Sequence, residues 1–384
     1  MTYLDHAATT PMLPEARDAL MEALGEVGNP SSLHAAGRRA RRAVEEARER
    51  IAAAIGCRPS ELIFTSGGTE SDNLAVKGLY WARNAQDPAK KRVLTSTIEH
   101  HAVLEAVEWL GEHEAADAEF LDVDEYGRVT ADTLGKALAD RAGEVAVISV
   151  QWANNEVGTV QPIAELSELA RRHGIPFHTD AVQAIAQVAV DTTAVDALTL
   201  TGHKLGGPVG VGALVLGREV PCMPVQHGGG QERDVRSGTL DAAGIVSFSV
   251  AVEASVKSQA ERTQRVRALR DDLIARVRSL VPDAILNGHP TERLPGNAHF
   301  SFPGCEGDAL LMLLDAAGIQ CSTGSACSAG VAEPSHVLVA MGADNARARS
   351  SLRFSLGHTS SEADIDALAA ALPDAVARAR RAAS

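Results

Sequence analysis

The stretch Thr201-Gly202-His203-Lys204 places a lysine in a glycine-containing turn, directly after an apolar run, where neither a helix nor a strand pattern needs a charge. A lysine held in a fixed, partly desolvated position can form a Schiff base with an aldehyde cofactor. Such a cofactor also needs an acid beside it, and Asp180 ends the apolar run 175–179. A single lysine is more often a surface charge, so this interpretation depends on the surrounding residues.

Length and composition limit the classes of protein that the chain can belong to. Its 384 residues exceed the usual size of one hydrophobic core, which predicts two domains. The formal net charge of -14 opposes binding to phosphate backbones and anionic lipids, so no nucleic acid or membrane partner is expected. The start of the chain resembles no secretory leader, and no apolar run approaches the roughly 18 residues of a membrane span. These features predict a cytoplasmic protein.

The five cysteines contain no C-x-x-C pair, so the sequence predicts neither a disulfide framework nor a thiolate metal site. Cys327 lies among the small residues of the segment 321–330, whereas a structural cysteine normally has apolar neighbours. This setting predicts a reactive thiol on a segment that can move, suited to delivering sulfur or a nucleophile.

Short apolar runs alternate with helical patterns over the first two thirds of the chain, which predicts an α/β domain with a mostly parallel sheet. The predicted strands are 62–65, 93–95, 120–123, 145–150, 175–179, 197–200 and 213–216. Ligands of such sheets gather at the carboxyl ends of the strands. Thr65, Gln151, Asp180 and Thr201 fall at such ends.

The remaining third of the chain predicts a smaller α+β domain. A helical segment over about 240–281 precedes alternating strands at 297–302 and 352–355, and the tail 373–384 predicts a fraying helix. We therefore expect a large domain over 14–255, and a small domain formed by 1–13 and 256–384.

Three further segments carry polar groups at the predicted sheet edge. The loop 65–71 follows a strand and precedes a helix, so it predicts either a phosphate site at a helix N-terminus or an ordinary capped helix start. In the segment 154–158, one of the two asparagines is expected to be structural. His100 begins a helical stretch. It predicts either a helix cap, a surface group, or an imidazole that stacks on a planar cofactor and exchanges protons.

Taken together, these motifs resemble the group I cysteine desulfurases, which are pyridoxal phosphate enzymes of fold type I within the class V aminotransferases. The matching motifs are His100, Asn155, 180–183, 201–204, 236–239 and 324–327, and the similarity runs from 4–11 to 351–357. The resemblance implies an aspartate aminotransferase-like fold, with a mostly parallel seven-stranded sheet flanked by helices and a smaller α+β domain.

The resemblance also implies a role for each matching residue. Lys204 would bind the cofactor aldehyde and, once freed by the substrate, remove the substrate α-proton. Asp180 would bind the ring nitrogen and Gln183 the phenolate oxygen, while His100 would stack on the ring and move protons. The phosphate would be held by Gly68, Thr69, Thr201, His203 and, from the second subunit of a homodimer, Thr239. Arg353, helped by Asn155, would bind the substrate carboxylate, and Asn155 would also contact the cofactor.

The implied reaction converts L-cysteine to L-alanine and passes sulfur, as a persulfide on Cys327, to an acceptor protein. Family members that serve an iron–sulfur scaffold often carry a longer C-terminal tail used in docking, whereas this sequence ends at Ser384, soon after Gly357. The acceptor therefore stays open between an iron–sulfur scaffold and a tRNA-thiolation protein. Two other classes stay open as well. One is a different pyridoxal phosphate enzyme, such as a selenocysteine lyase or an aminotransferase, in which Cys327 is incidental. The other is a sulfur-relay protein that does not catalyse.

Overall fold

The computed structural model describes residues 1–324 and 334–383. Its strands are β1 (Thr2–Tyr3), β2 (Leu62–Thr65), β3 (Arg92–Ser96), β4 (Asp117–Leu121), β5 (Val145–Ser149), β6 (Phe177–Asp180), β7 (Ala197–Thr201), β8 (Gly212–Leu216), β9 (Ile285–Asn287), β10 (Asn297–Ser301), β11 (Ile319–Gln320) and β12 (Ser351–Ser355). Its helices are α1 (Pro14–Leu24), α2 (Ala35–Ile55), α3 (Gly68–Gln86), α4 (His101–His113), α5 (Ala131–Leu138), α6 (Ile163–Arg172), α7 (Ala242–Lys257), α8 (Gln259–Leu280), α9 (Gly307–Ala316), α10 (His336–Ala340), α11 (Asn345–Arg349) and α12 (Glu362–Ala383).

The central sheet has seven strands in the order β2-β8-β7-β6-β5-β3-β4. The neighbours from β7 to β4 pair in parallel, and β8 runs antiparallel to both β7 and β2. Every residue of β2, β5, β7 and β8 is buried, because helices cover both faces of the sheet. The predicted α/β fold with a mostly parallel sheet is thereby confirmed.

Alternate residues of each strand contribute to two separate cores. One face packs against α2 and α6 through Ile51 and Leu166, and the other packs against α3 and α4 through Leu79 and Val107. The layered packing fixes the sheet, so that the carboxyl ends of its parallel strands form one stable edge.

A third core lies around a smaller antiparallel sheet of order β12-β10-β9. It combines Phe300 and Phe354 of that sheet with Leu273 of α8 and Leu372 of α12. Leu4 of the N-terminal arm joins the same core, because β1 pairs in parallel with β11. The domain boundaries at 14 and 255 stay a prediction.

Three segments differ from the sequence expectation. The stretch 240–281 forms two helices that meet at Ser258. The Ser258 hydroxyl donates to the Ala254 carbonyl at 2.8 Å, and this side-chain hydrogen bond competes with the backbone hydrogen bonds of a continuous helix. The tail belongs to α12, which buries Ala375 and Val376, so it packs rather than frays. The strand predicted at 120–123 begins at Asp117, because β4 is a half-exposed edge strand without an apolar run.

No helix in the described part of the chain is long and apolar enough to cross a membrane.

A buried ion pair ties α2 to β2 and to the loop after β8. The Arg48 guanidinium donates to both carboxylate oxygens of Glu232, at 2.8 and 2.7 Å. Glu232 also accepts the Phe64 backbone N–H at 2.9 Å, and Arg48 donates to the Leu62 carbonyl. Removing one charge of such a pair leaves the other buried without a partner.

We expect Glu232→Gln to lower the free energy of unfolding by about 3 kcal/mol, because Arg48 loses its charged partner inside the protein. The measurement is urea unfolding followed by circular dichroism. Glu45→Gln is the matched control, since Glu45 contacts the same Arg48 at 3.0 Å from a 39% exposed position, and it should cost less than about 1 kcal/mol. Equal losses in the two variants would contradict the structural role of Glu232.

Candidate active site

One cavity of about 400 Å³ lies at the carboxyl edge of the central sheet, where β6 ends at Asp180 and β7 ends at Thr201. It brings together ten of the residues singled out in the sequence. They are Gly68, Thr69, His100, Asn155, Asp180, Gln183, Thr201, His203, Lys204 and Arg353. These residues come from distant parts of the chain and meet because parallel strands end at the same edge.

Lys204 ends a short 3-10 turn, Gly202–Lys204, that follows β7. Only glycine fits at position 202, because a Cβ there would lie 2.7 Å from the Pro208 carbonyl oxygen. The Lys204 Nζ donates hydrogen bonds to the carbonyl oxygens of Ala7 and Ala8, the latter at 2.6 Å. Burial, together with the charge of Arg353, lowers the pKa of the amine to about 8. A sizeable neutral fraction therefore exists near physiological pH.

Asp180 supplies the carboxylate of the cavity. Its Oδ1 accepts the Val182 backbone N–H at 2.8 Å, which fixes the side chain. Burial raises the pKa of Asp180 to about 6, against the opposing effects of that hydrogen bond and of Lys204, so the group remains ionised at neutral pH. Gln183 lies three residues further on, and its Nε2 donates to the Ala7 carbonyl at 2.9 Å.

The N-terminus of α3 forms a second end of the cavity through Gly68 and Thr69. The residue before the helix is Gly67, so no side chain caps the first turn from that position. Glu70 instead accepts the Ser66 N–H at 2.7 Å and pairs with Arg236. A long helix that begins without an N-cap side chain suits an anion, because its first N–H groups and its dipole favour negative charge.

His100 is a helix cap whose ring also faces the cavity. Its Nδ1 accepts the Ala102 N–H at 3.1 Å, so the residue caps α4, and the ring also lines the cavity. Partial burial and the Lys204 charge lower the pKa of the imidazole, which keeps it neutral at physiological pH. Because Nδ1 acts as an acceptor, the proton of the neutral ring lies on Nε2.

Arg353 reaches the cavity from β12 and has a 5% exposed side chain. Its Nη1 donates to the Asn155 carbonyl at 2.9 Å, and its Nη2 donates to Asp5 Oδ1 at 2.7 Å. Asn154 is the structural asparagine of the pair, since its side chain bonds the backbone of Ile98, Glu156 and Val157.

Two buried acids near Asp180 were missed in the sequence. Asp72 of α3 lines the cavity, and burial and the Asp180 charge raise its pKa well above the usual range. Glu99 accepts the Gln151 N–H at 2.9 and 3.0 Å, and burial raises its pKa to about 8. The N-terminal arm was also missed as a wall of the cavity.

Two predicted site residues are not placed in the cavity. Thr239 is exposed and does not line the cavity. A residue that serves the cavity of a second subunit would have to be exposed in this way. Cys327 lies outside the described residues, although Ser322 and Gly324, which precede it in sequence, line the cavity.

The cavity residues fit pyridoxal phosphate in three respects. A helix start without an N-cap side chain suits the phosphate, the ionised Asp180 suits a protonated ring nitrogen, and a partly neutral Lys204 suits the aldehyde. Each of these groups lines the same volume, so one molecule could reach all three.

The known proteins that are similar to this chain in sequence and in structure belong together. The chain is 58% identical to an IscS-like cysteine desulfurase of Mycobacterium tuberculosis, over 100% of this chain and 98% of that protein. It is 43% identical to a cysteine desulfurase IscS of Methanosarcina thermophila, over 98% of this chain and 92% of that protein. A solved NifS-like protein superposes with a TM-score of 0.90 at 32% identity, covering 98% of this chain and 100% of that one. The family model "Aminotransferase class-V" matches residues 2–368, and the chain belongs to that family of pyridoxal phosphate enzymes.

Proposed function

We propose that the protein is a cysteine desulfurase, which converts L-cysteine to L-alanine and transfers the sulfur, as a persulfide on Cys327, to an acceptor protein. The observation that carries this proposal is the placement of Lys204, Asp180 and Arg353 in one cavity. Full-length similarity to relatives named cysteine desulfurase supports the choice of substrate.

Pyridoxal phosphate, when bound, supplies an aldehyde that accepts amines and a ring that accepts the electron pair left when a substrate α-proton departs. We propose that Gly68, Thr69, Thr201 and His203 bind its phosphate, Asp180 the ring nitrogen and Gln183 the phenolate oxygen. His100 would lie against the ring, and its Nε2 proton makes it a neutral donor there.

Lys204 has the properties of the general base. Its lowered pKa gives a neutral amine that can accept the α-proton of cysteine, and its contacts with Ala7 and Ala8 fix the amine at the cavity wall. Arg353 would bind the cysteine carboxylate, with help from Asn155. A planar guanidinium suits this task because it presents paired N–H donors to a carboxylate.

The described cysteines support Cys327 as the sulfur acceptor by elimination. Burial raises the pKa of Cys57, Cys222 and Cys321 to about 12, and it raises the pKa of Cys305 as well. None of these four thiols is therefore suited to form a thiolate at neutral pH. In the proposed step the Cys327 thiolate attacks the substrate sulfur and the carbon–sulfur bond breaks. Its electron pair stays on the carbon skeleton, which takes up a proton and leaves as alanine.

We further propose that the protein acts as a homodimer and that Thr239 completes the phosphate site of the partner. Large apolar side chains are exposed on α1 and on the segment that follows it, including Leu24 (63%), Val27 (83%) and Leu33 (89%). Large exposed apolar side chains so close together in sequence are typical of a surface that another subunit covers. The acceptor would be an iron–sulfur scaffold or a tRNA-thiolation protein, and a cytoplasmic location stays a prediction.

We expect Cys327→Ser to keep the visible absorbance of bound pyridoxal phosphate but to lose at least about 100-fold in sulfide release from cysteine with a reducing thiol, because the persulfide cannot form. Cys321→Ser is the matched control and should keep activity within about twofold, since burial already suppresses its thiolate. Full turnover by Cys327→Ser would assign the protein to another class of pyridoxal phosphate enzyme.

We expect the double variant Leu24→Glu, Val27→Glu to sediment as a monomer at micromolar concentration, because dimerisation would bury four carboxylates. Met312→Glu is the control, since Met312 is 72% exposed on α9 and lies away from these two residues in sequence. Sedimentation velocity distinguishes the two states. A monomeric native protein, or a double variant that stays dimeric, would contradict the proposed interface.

A further inference from the structure

A second, smaller cavity of about 60 Å³ adjoins the active-site cavity. Lys204, Gln183 and Ala7 line both cavities, so these residues form the partition between them. The smaller cavity, here called the rear chamber, is also lined by His6, Thr10, Thr263 and His358. It includes no predicted cofactor or substrate residue other than those of the partition.

The rear chamber has the size and the lining of a water site. A buried water needs roughly 10–15 Å³ and two to four polar partners. The volume of about 60 Å³ therefore accommodates several waters. Thr10, Thr263, Gln183 and the histidines offer hydroxyl, amide and imidazole groups as partners.

A row of hydrogen bonds joins the two histidines of the chamber. His6 Nδ1 lies 2.7 Å from Thr10 Oγ1, and Thr10 Oγ1 lies 3.3 Å from His358 Nδ1. The His6 ring packs directly against Gly357, where a side chain would not fit, because a Cβ there would lie 2.1 Å from His6 Nδ1. His6 is buried and His358 is half-buried, so the row runs from the interior towards the surface.

Both histidines are suited to carry protons in either direction. Burial lowers the pKa of His6 to about 4, and burial also lowers the pKa of His358. Each ring is therefore neutral at physiological pH, with one nitrogen that donates and one that accepts. A neutral imidazole can take up a proton at one nitrogen and release another from the second.

Lys204 needs such a connection if it carries a proton during turnover. Substrate and cofactor would both occupy the larger cavity and so displace water from that side of the amine. Thr10 is well placed to help, since its backbone N–H donates to the His203 carbonyl at 3.0 Å and so fixes the arm against the lysine turn.

We propose that the rear chamber is a water-filled proton port for Lys204, through which the amine exchanges protons with solvent along the Thr10-bridged pair of His6 and His358. This inference rests on the proposed function, because it takes Lys204 as the carrier of the cysteine α-proton. In the exchange, the Lys204 ammonium gives a proton to a chamber water, a proton leaves through the histidines, and solvent returns one. No other bond changes.

The test uses the holoenzyme and cysteine deuterated at Cα, in ordinary water. Mass spectrometry of the alanine product gives the fraction of label retained, a quantity independent of the turnover rate. We expect the native protein to lose most of the label. Thr10→Val keeps the shape of the side chain but breaks the bridge, and it should raise retention at least threefold. His358→Phe, which keeps a ring without nitrogen, should do the same if Thr10→Val fails to fold.

Thr192→Val is the matched control, since the Thr192 hydroxyl bonds the carbonyls of Ile55 and Gly56 and Thr192 lines neither cavity. Its product should lose as much label as that of the native protein. Equal loss in Thr10→Val and His358→Phe would overturn the port, and so would high retention in the native protein. Failure of the proposed function itself would look different, because no alanine would form.

Discussion

The Lys204 amine lies half-buried at the carboxyl edge of the central sheet, and the carbonyl oxygens of Ala7 and Ala8 accept its hydrogen bonds. Burying an ammonium group without such partners would cost several kcal/mol. The N-terminal arm must therefore lie against the lysine turn. Two backbone bonds hold it there, from Thr10 to the His203 carbonyl and from Leu13 to the Gly206 carbonyl.

The same arm also connects the cavity to the smaller sheet. Asp5 pairs with Arg353 of β12 at 2.7 Å, while Leu4 enters the core of that sheet. Around the cavity, the two cations Lys204 and Arg353 are thus balanced by the carboxylates of Asp180 and Asp5. The raised pKa values of Asp72 and Glu99 favour their neutral forms, so they add little further negative charge. This balance is consistent with a Lys204 pKa that is lowered only to about 8.

The sequence predicted those parts of the structure that depend on local patterns. Strands such as β2 and β8 are continuous apolar runs bounded by turn residues, and Asp180 and Lys204 follow such runs directly. Groups that act only through long-range contacts could not be found in this way. The carbonyls of Ala7 and Ala8 have no side-chain signature, and the burial of Asp72 depends on strands far away in sequence. The break at Ser258 depends on one side-chain hydrogen bond, which an apolar periodicity does not reveal.

Covalent attachment of the cofactor to Lys204 tests the central claim most directly. The holoprotein would be reduced with borohydride at pH 8, digested and analysed by peptide mass spectrometry. We predict that the reduced pyridoxyl group is found on the peptide that contains Lys204, and that Lys204→Arg abolishes the label. A label on another lysine, or bound cofactor that borohydride does not fix to the protein, would contradict the assignment of the active site.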